Sequence, residues 1–85
     1  MKNSICFDLF KRGFTLKGES ENLFVKRENH IYNFTEITIC ECSLEKVVVV
    51  IHNEYNDEAV SRETTNFYKM KPEDLKDFLT EHHIK

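Results

Sequence analysis

The run of β-branched residues from Val47 to Ile51 constrains the fold of this chain more than any other feature of its sequence. β-branched side chains pack well on the pleated surface of a sheet, so residues 46–55 are predicted to form a strand. A run without polar alternation is typical of a strand that is buried on both faces or that pairs centrally in its sheet. If such a strand lay at an edge instead, it would favour self-pairing of the chain into a homodimer.

Alternation of apolar and polar residues predicts further strands on both sides of this run. Ile37 and Ile39 alternate with Thr38 and Cys40, and side chains alternate along a strand with a period of two, so the pattern assigns two faces to this strand. The predicted strands are residues 23–28, 31–34, 36–42 and 62–70, with a short additional one at residues 14–17. Polar turns are expected at residues 18–22 and 28–30.

The segment that follows the last predicted strand has the pattern of a helix that begins near Pro72. Proline at the first helical position loses no needed N–H donor, and the acidic residues after it suit the positive end of the helix dipole. One apolar stripe for the sheet follows with i, i+3, i+4 spacing, formed by Leu75, Phe78 and Leu79. The helix is expected to fray near His82 or His83.

Residues 4–12 fit either a helix or a strand. As a helix, the segment has an N-cap candidate in Asn3 or Ser4, and the sequence Lys11-Arg12-Gly13 is a typical stop signal. As a strand, it alternates apolar residues on one face with polar residues on the other. The stop signal favours the helix, and the strand stays open as the alternative. In both cases the phenylalanines of this region are expected to contribute to the core, namely Phe7, Phe10 and Phe14.

These elements predict the α+β class. The expected architecture is a four- to five-stranded antiparallel meander sheet packed by a C-terminal helix, with a short N-terminal helix as a possible addition. The chain has 85 residues, the size of one small domain, so residues 1–85 are predicted to form a single α+β domain. A core of this size leaves few side chains to line a deep substrate cavity, which argues against an enzyme.

Motifs of catalysis or cofactor binding are missing from the sequence, and no catalytic residue, cofactor or metal is predicted. With only two glycines, the chain has neither a phosphate-binding glycine loop nor a Gly-x-Ser-x-Gly elbow. Cys40 and Cys42 share a strand face, but a structural zinc site needs four ligands and would have to recruit Cys6 and scattered histidines. The cysteines are therefore expected to be reduced and to pack in the core, and His52 is expected to be an ordinary histidine of the sheet edge.

The sequence predicts neither secretion nor membrane insertion. Charged residues interrupt the N-terminal apolar stretch at Asp8, which is too early for a secretory signal. The longest aliphatic run is far shorter than the roughly 20 residues of a membrane span. We therefore expect a cytoplasmic protein without membrane contact.

Charge is unevenly distributed along the chain, which has a formal net charge of −3. Residues 36–63 carry seven acidic and two basic side chains, a balance of −5, and this predicts an acidic face for a basic partner. The polar tip after the valine run is the part that projects furthest from the core, with a tyrosine as the candidate anchor. The predicted partner-binding residues are Glu54, Tyr55, Asp57 and Glu58.

These features predict a non-enzymatic protein-interaction module, an inhibitor or adaptor that acts by stoichiometric binding as a monomer or a homodimer. The layout is similar to that of small phage and mobile-element proteins that inhibit host enzymes in this way. The expected partner is a protein such as a nucleic-acid enzyme, whose basic groove attracts phosphates. The alternative is a nucleic-acid-binding accessory protein with a basic patch formed by Lys11, Arg12, Lys26 and Lys69.

Overall fold

A computed structural model of the chain describes residues 2–18 and 22–85 and contains one antiparallel sheet with two helices. The elements are α1 (Asn3–Lys11), β1 (Thr15–Leu16), β2 (Leu23–Asn29), β3 (Asn33–Ser43), β4 (Lys46–Asn56), β5 (Ser61–Met70), a 3-10 turn (Pro72–Asp74) and α2 (Leu75–Glu81). The strand order in the five-stranded sheet is β1-β2-β3-β4-β5, so each strand pairs antiparallel with its neighbours in the sequence. The predicted α+β class, the antiparallel meander and the N-terminal helix are confirmed. Part of the turn predicted at residues 18–22 lies outside the described residues.

The valine-rich strand β4 lies between β3 and β5 and pairs with both. Val47 and Val49 are fully buried, whereas Val48 and Val50 on the opposite face are only half-buried. The run of valines therefore reflects central pairing, and its second face is not covered. An edge position for this strand, with self-pairing through it, is excluded.

Strand β3 is longer than the sequence pattern predicts. The two predicted strands at residues 31–34 and 36–42 form one element, and Ile31 lies in the turn before it. Thr35 joins the two parts, since it pairs across the ladder with Asn53 and its Oγ1 lies 2.6 Å from the Asn53 Oδ1. The predicted faces are correct, because Ile37 and Ile39 are buried together.

Both helices pack on the same face of the sheet, where they complete a two-layer core. The buried residues are Leu9, Phe14, Phe24, Ile37, Ile39, Val47, Val49, Leu75, Leu79 and Ile84. In α1 the helical period aligns Ile5 with Leu9 towards the sheet, and Phe7 points outward. Phe10 is 48% exposed, but its ring packs at the edge of the core against Phe24, with 5.7 Å between the ring centroids. The expectation of a contribution to the core is wrong for Phe7, is met by Phe10 only through its contact with Phe24, and is confirmed for Phe14.

Each helix ends in a Schellman motif, which fastens the chain after it to the core. After α1, Phe14 N donates to Leu9 O at 3.0 Å, and Gly13 adopts the left-handed conformation with φ 92°. After α2, Ile84 N donates to Leu79 O at 2.9 Å, and His83 takes the same role with φ 58°. Because Ile84 is buried, the expectation that this helix end frays is wrong.

The helices cover only one half of the sheet. Along the helix-facing side of β4, Val47 and Val49 are fully buried, Ile51 is partly buried and Tyr55 is exposed. The uncovered half ends in the turns of the β2–β3 and β4–β5 hairpins. Neither helix among the described residues combines the length and the apolar composition that crossing a membrane requires.

Candidate functional site

Four exposed apolar side chains cluster at the uncovered end of the sheet. They come from the β2–β3 and β4–β5 hairpins and are Ile31, Tyr32, Tyr55 and Val60, named here the tip surface. Asn56 N donates to Tyr32 O at 2.7 Å and thereby joins the two hairpin ends. Ile31 is 90% exposed, so this side chain gains nothing from the fold itself. An exposed apolar cluster with polar surroundings is the pattern of a protein-binding surface.

Tyr55 is the central residue of the tip surface. Its neighbours across the ladders are Asn33 on β3 and Arg62 on β5. It lines a groove of about 470 Å³ together with Asn53, Val60 and Arg62. It also lines a second concavity on the side of Ile31 and Tyr32. A tyrosine between two concave surfaces is placed where a rigid amphipathic side chain can contact a partner, and its role as an anchor stays a prediction.

The acidic residues predicted beside Tyr55 are divided between two places. Asp57 and Glu58 are exposed in the β4–β5 turn, where Asp57 Oδ1 accepts from Glu58 N at 2.6 Å. Glu54 precedes Tyr55 on β4, and side chains alternate, so it points to the opposite, open face of the sheet. Asp57 and Glu58 therefore lie in the turn beside the tip surface, and Glu54 adjoins that surface as one of the residues that line the Tyr55 groove.

The acidic residues of segment 36–63 do not form one continuous face. Glu36 lies on the open face within 3.8 Å of Arg27, and Glu45 lies in the β3–β4 turn at the other end of the sheet. Strand alternation and the turn between β3 and β4 separate side chains that are close in sequence. The acidic residues that adjoin the tip surface are Asp57 and Glu58 in the β4–β5 turn and Glu54 in the lining of the Tyr55 groove.

A cluster of three potential metal ligands lies on the open face. His52 Nε2 lies 3.1 Å from Glu54 Oε1 and 3.5 Å from Glu63 Oε1, while Thr65 Oγ1 lies 2.7 Å from His52 Nδ1. Among the described residues this is the one set of three such side chains with ligand atoms within 4.8 Å of one another. One imidazole and two carboxylates suit Zn²⁺ or Mn²⁺. However, Glu63 is 67% exposed, and His52 already has Glu54 and Thr65 within hydrogen-bonding distance, so the cluster is accounted for without an ion.

The three cysteines are free thiols, and the expectation that Cys40 and Cys42 pack in the core is wrong. Cys40 is half-buried opposite Val48 on the open face of β3, and Cys42 is exposed at the irregularity between Glu41 and Ser43. Partial burial, and then the neighbouring Cys42 thiol, raise the pKa of the Cys40 thiol above its usual value. The raised pKa keeps this thiol protonated and weakly nucleophilic at neutral pH.

The four basic residues of the alternative hypothesis are not brought together. Lys26 stands opposite Ile37 on the helix-covered face, and Lys69 stands opposite Val48 on the open face. Two strands separate β2 from β5, a distance of about 14 Å. The structure therefore presents no common patch formed by these two residues.

The other two basic residues interact with their own neighbours. Lys11 Nζ lies over the Phe7 ring at 5.4 Å from its centroid. Arg12 donates to Asp8 Oδ2 at 2.8 Å, to Ile84 O at 2.7 Å and to Thr80 Oγ1 at 3.1 Å. Arg12 thus connects the end of α1 with the end of α2, which is a structural role.

The predicted residues Glu54, Tyr55, Asp57 and Glu58 all lie at or beside the tip surface, and their role in binding stays a prediction, whereas the sequence pattern does not indicate Ile31, Tyr32 and Val60. The sequence pattern predicts a strand at Ile31 and Tyr32, because two apolar residues after a short polar turn resemble a strand start, but both lie in the turn before β3. The signal that could have identified them is His30-Ile31-Tyr32 as the loop of a hairpin between two long alternating strands. Comparisons of the chain with protein-family models, with curated proteins and with solved structures found no match.

Proposed function

We propose that this chain is a non-enzymatic interaction module that binds a partner protein stoichiometrically through its tip surface. The observation that carries the proposal is the exposure of Ile31, Tyr32, Tyr55 and Val60 at the end of the sheet that the helices leave bare. Burying these side chains stabilises a complex by about 25 cal/mol for each Å² of apolar area removed from water. The helix-covered half of the domain maintains the fold without them.

The partner that fits this surface has an apolar recess bordered by basic side chains. Tyr55 would occupy the recess, and Asp57 and Glu58 would meet the basic border. A basic border is a property of nucleic-acid enzymes, whose grooves attract phosphates. An inhibitor of such an enzyme, or an adaptor that recruits it, is the role that we propose.

The test compares a tip variant with a matched control in binding to the partner captured from the source cells. Ile31→Ala combined with Tyr55→Ala removes two anchors from exposed positions and is expected to weaken binding by at least about tenfold without loss of folding. Leu44→Ala is the control, because Leu44 is 89% exposed in the β3–β4 turn at the opposite end of the sheet.

Two results would contradict the proposal. One is equal binding by the tip variant and the wild type, measured by titration of the purified partner. The other is tight binding of DNA or RNA by the wild type in a low-salt mobility assay, with loss of that binding in Lys11→Glu or Lys69→Glu. Circular dichroism of every variant separates a loss of binding from a loss of fold.

A further inference from the structure

We propose that β5 pairs antiparallel with β5 of a second copy of this chain, so that two sheets join edge to edge around a two-fold axis at Asn66. The proposal goes beyond the tip surface and does not depend on it. Four features of the edge strand β5 support the proposal. They are its length, the backbone groups that it directs to the free edge, its charged residues and the groove beside it.

The two edges of the sheet are unlike each other. At one edge β1 has two residues, and the part of β2 that extends beyond it contains Lys26, Arg27 and Glu28. Short strands and charged side chains are ordinary protection against edge-to-edge pairing. At the other edge β5 has ten residues in unbroken register with β4, and its centre, residues 64–68, is uncharged. Phe67 on this strand is 68% exposed.

The hairpin geometry determines which backbone groups of β5 face outward. Asp57 and Val60 exchange both of their backbone hydrogen bonds, at 2.9 and 3.3 Å. Hydrogen-bonded and non-hydrogen-bonded pairs alternate in an antiparallel ladder, so the even-numbered residues from Arg62 to Met70 bond to β4. The odd-numbered residues from Glu63 to Lys69 direct their N–H and C=O groups to the free edge.

Only registers that place outward-facing residues opposite each other are compatible with pairing. With the axis at Asn66, Thr65 lies opposite Phe67 of the second copy, and Glu63 lies opposite Lys69 of the second copy. The symmetry repeats both pairs, which gives two pairs of opposite charge on the open face. Moving the axis by one residue in either direction places Lys69 opposite an uncharged residue, Ser61 or Thr65. The charges therefore select the register at Asn66.

The groove between β5 and α2 favours the same register. It has a volume of about 530 Å³ and is lined by Tyr68 and Met70 of the strand and by three acidic residues, Asp74, Asp77 and Glu81. With the axis at Asn66, Arg62 of the second copy lies opposite Met70, on the side of the sheet that carries α2. Its guanidinium group then faces the acidic residues of the groove, which adds a charge-assisted contact at each end of the interface.

The test uses two charge variants whose effects cancel when they are mixed. Glu63→Lys places lysine opposite lysine in a homodimer, and Lys69→Glu places glutamate opposite glutamate, so each variant alone should self-associate at least about tenfold more weakly than the wild type. In an equimolar mixture every such pair joins a lysine to a glutamate, and a heterodimer of nearly wild-type affinity is expected. Sedimentation equilibrium measures the dissociation constants, and circular dichroism checks the folding of each variant.

A third variant tests the backbone pairing. Thr65→Pro removes an N–H that faces the free edge and is not bonded to β4, so the monomer should stay folded while self-association is lost. If the wild type stays monomeric at all accessible concentrations, the proposal is wrong. The free edge of β5 would then be open only to a strand of a different protein. A mixture of the two charge variants that does not associate, while the wild type does, would overturn the register.

Discussion

At the residue scale, Arg12 shows how a side chain that resembles part of a basic patch can hold a small fold together. Its guanidinium group bonds to Asp8 one turn earlier and to Ile84 O and Thr80 Oγ1 beyond the end of α2. In the sequence, nothing around Arg12 indicates that its side chain contacts residues about seventy positions later. Such contacts depend on how two helices lie on a sheet, which local patterns do not determine.

We expect Arg12→Ala to lower the free energy of unfolding by about 1–3 kcal/mol, because hydrogen bonds from a charged donor are lost and the Ile84 carbonyl loses its partner. Arg12→Lys should lose less, since the ammonium group can still pair with Asp8 but lacks the planar fork that reaches the other acceptors. Urea unfolding of the two variants measures the difference. Equal stability of Arg12→Ala and the wild type would show that the contact between the helix ends contributes nothing.

At the element scale, the sequence predicts best those elements whose boundaries carry chemical signals. Pro72 starts the turn into α2, and Gly13 ends α1 with the positive φ that glycine adopts without strain. The sequence predicts least well those elements whose ends depend on pairing or packing with residues that are distant in the chain. The β3 strand continues through Thr35 because β4 lies beside it, and the end of α2 is closed by the burial of Ile84 instead of fraying.

The two Schellman motifs make a prediction about stability, because they place different residues in the left-handed position. His83→Gly should raise the free energy of unfolding by about 1 kcal/mol, since a residue with a Cβ is strained at positive φ. Gly13→Ala should lower it by about the same amount. A Cβ at Gly13 would meet only the flexible Lys26 side chain, at 3.5 Å, so the cost there is conformational. Thermal unfolding measures both variants. If their unfolding temperatures shifted in the same direction, the left-handed conformation assigned to residues 13 and 83 would be contradicted.

At the scale of the whole molecule, the sheet is divided into a half that the helices cover and a half that they leave bare. The helices bury Val47, Val49, Ile39 and Phe24 in the first half. The second half extends the hairpins past the helices to the tip surface, and the molecule is accordingly elongated, with principal extents of 45 × 24 × 21 Å. The sequence predicted that a hairpin tip would project at Tyr55 but not that a second hairpin end would lie beside it.

We propose the tip surface as the place where the partner binds. Hydrogen–deuterium exchange of the backbone amides, compared between the free chain and its complex with the captured partner, tests it most directly. We expect slower exchange in the complex at residues 30–33 and 55–61, with no change at the β3–β4 turn around Leu44. If self-association slows exchange along β5, it does so in both samples, so this effect cancels in the comparison. Slower exchange confined to the basic residues of α1 and β2, with the tip unchanged, would contradict the account.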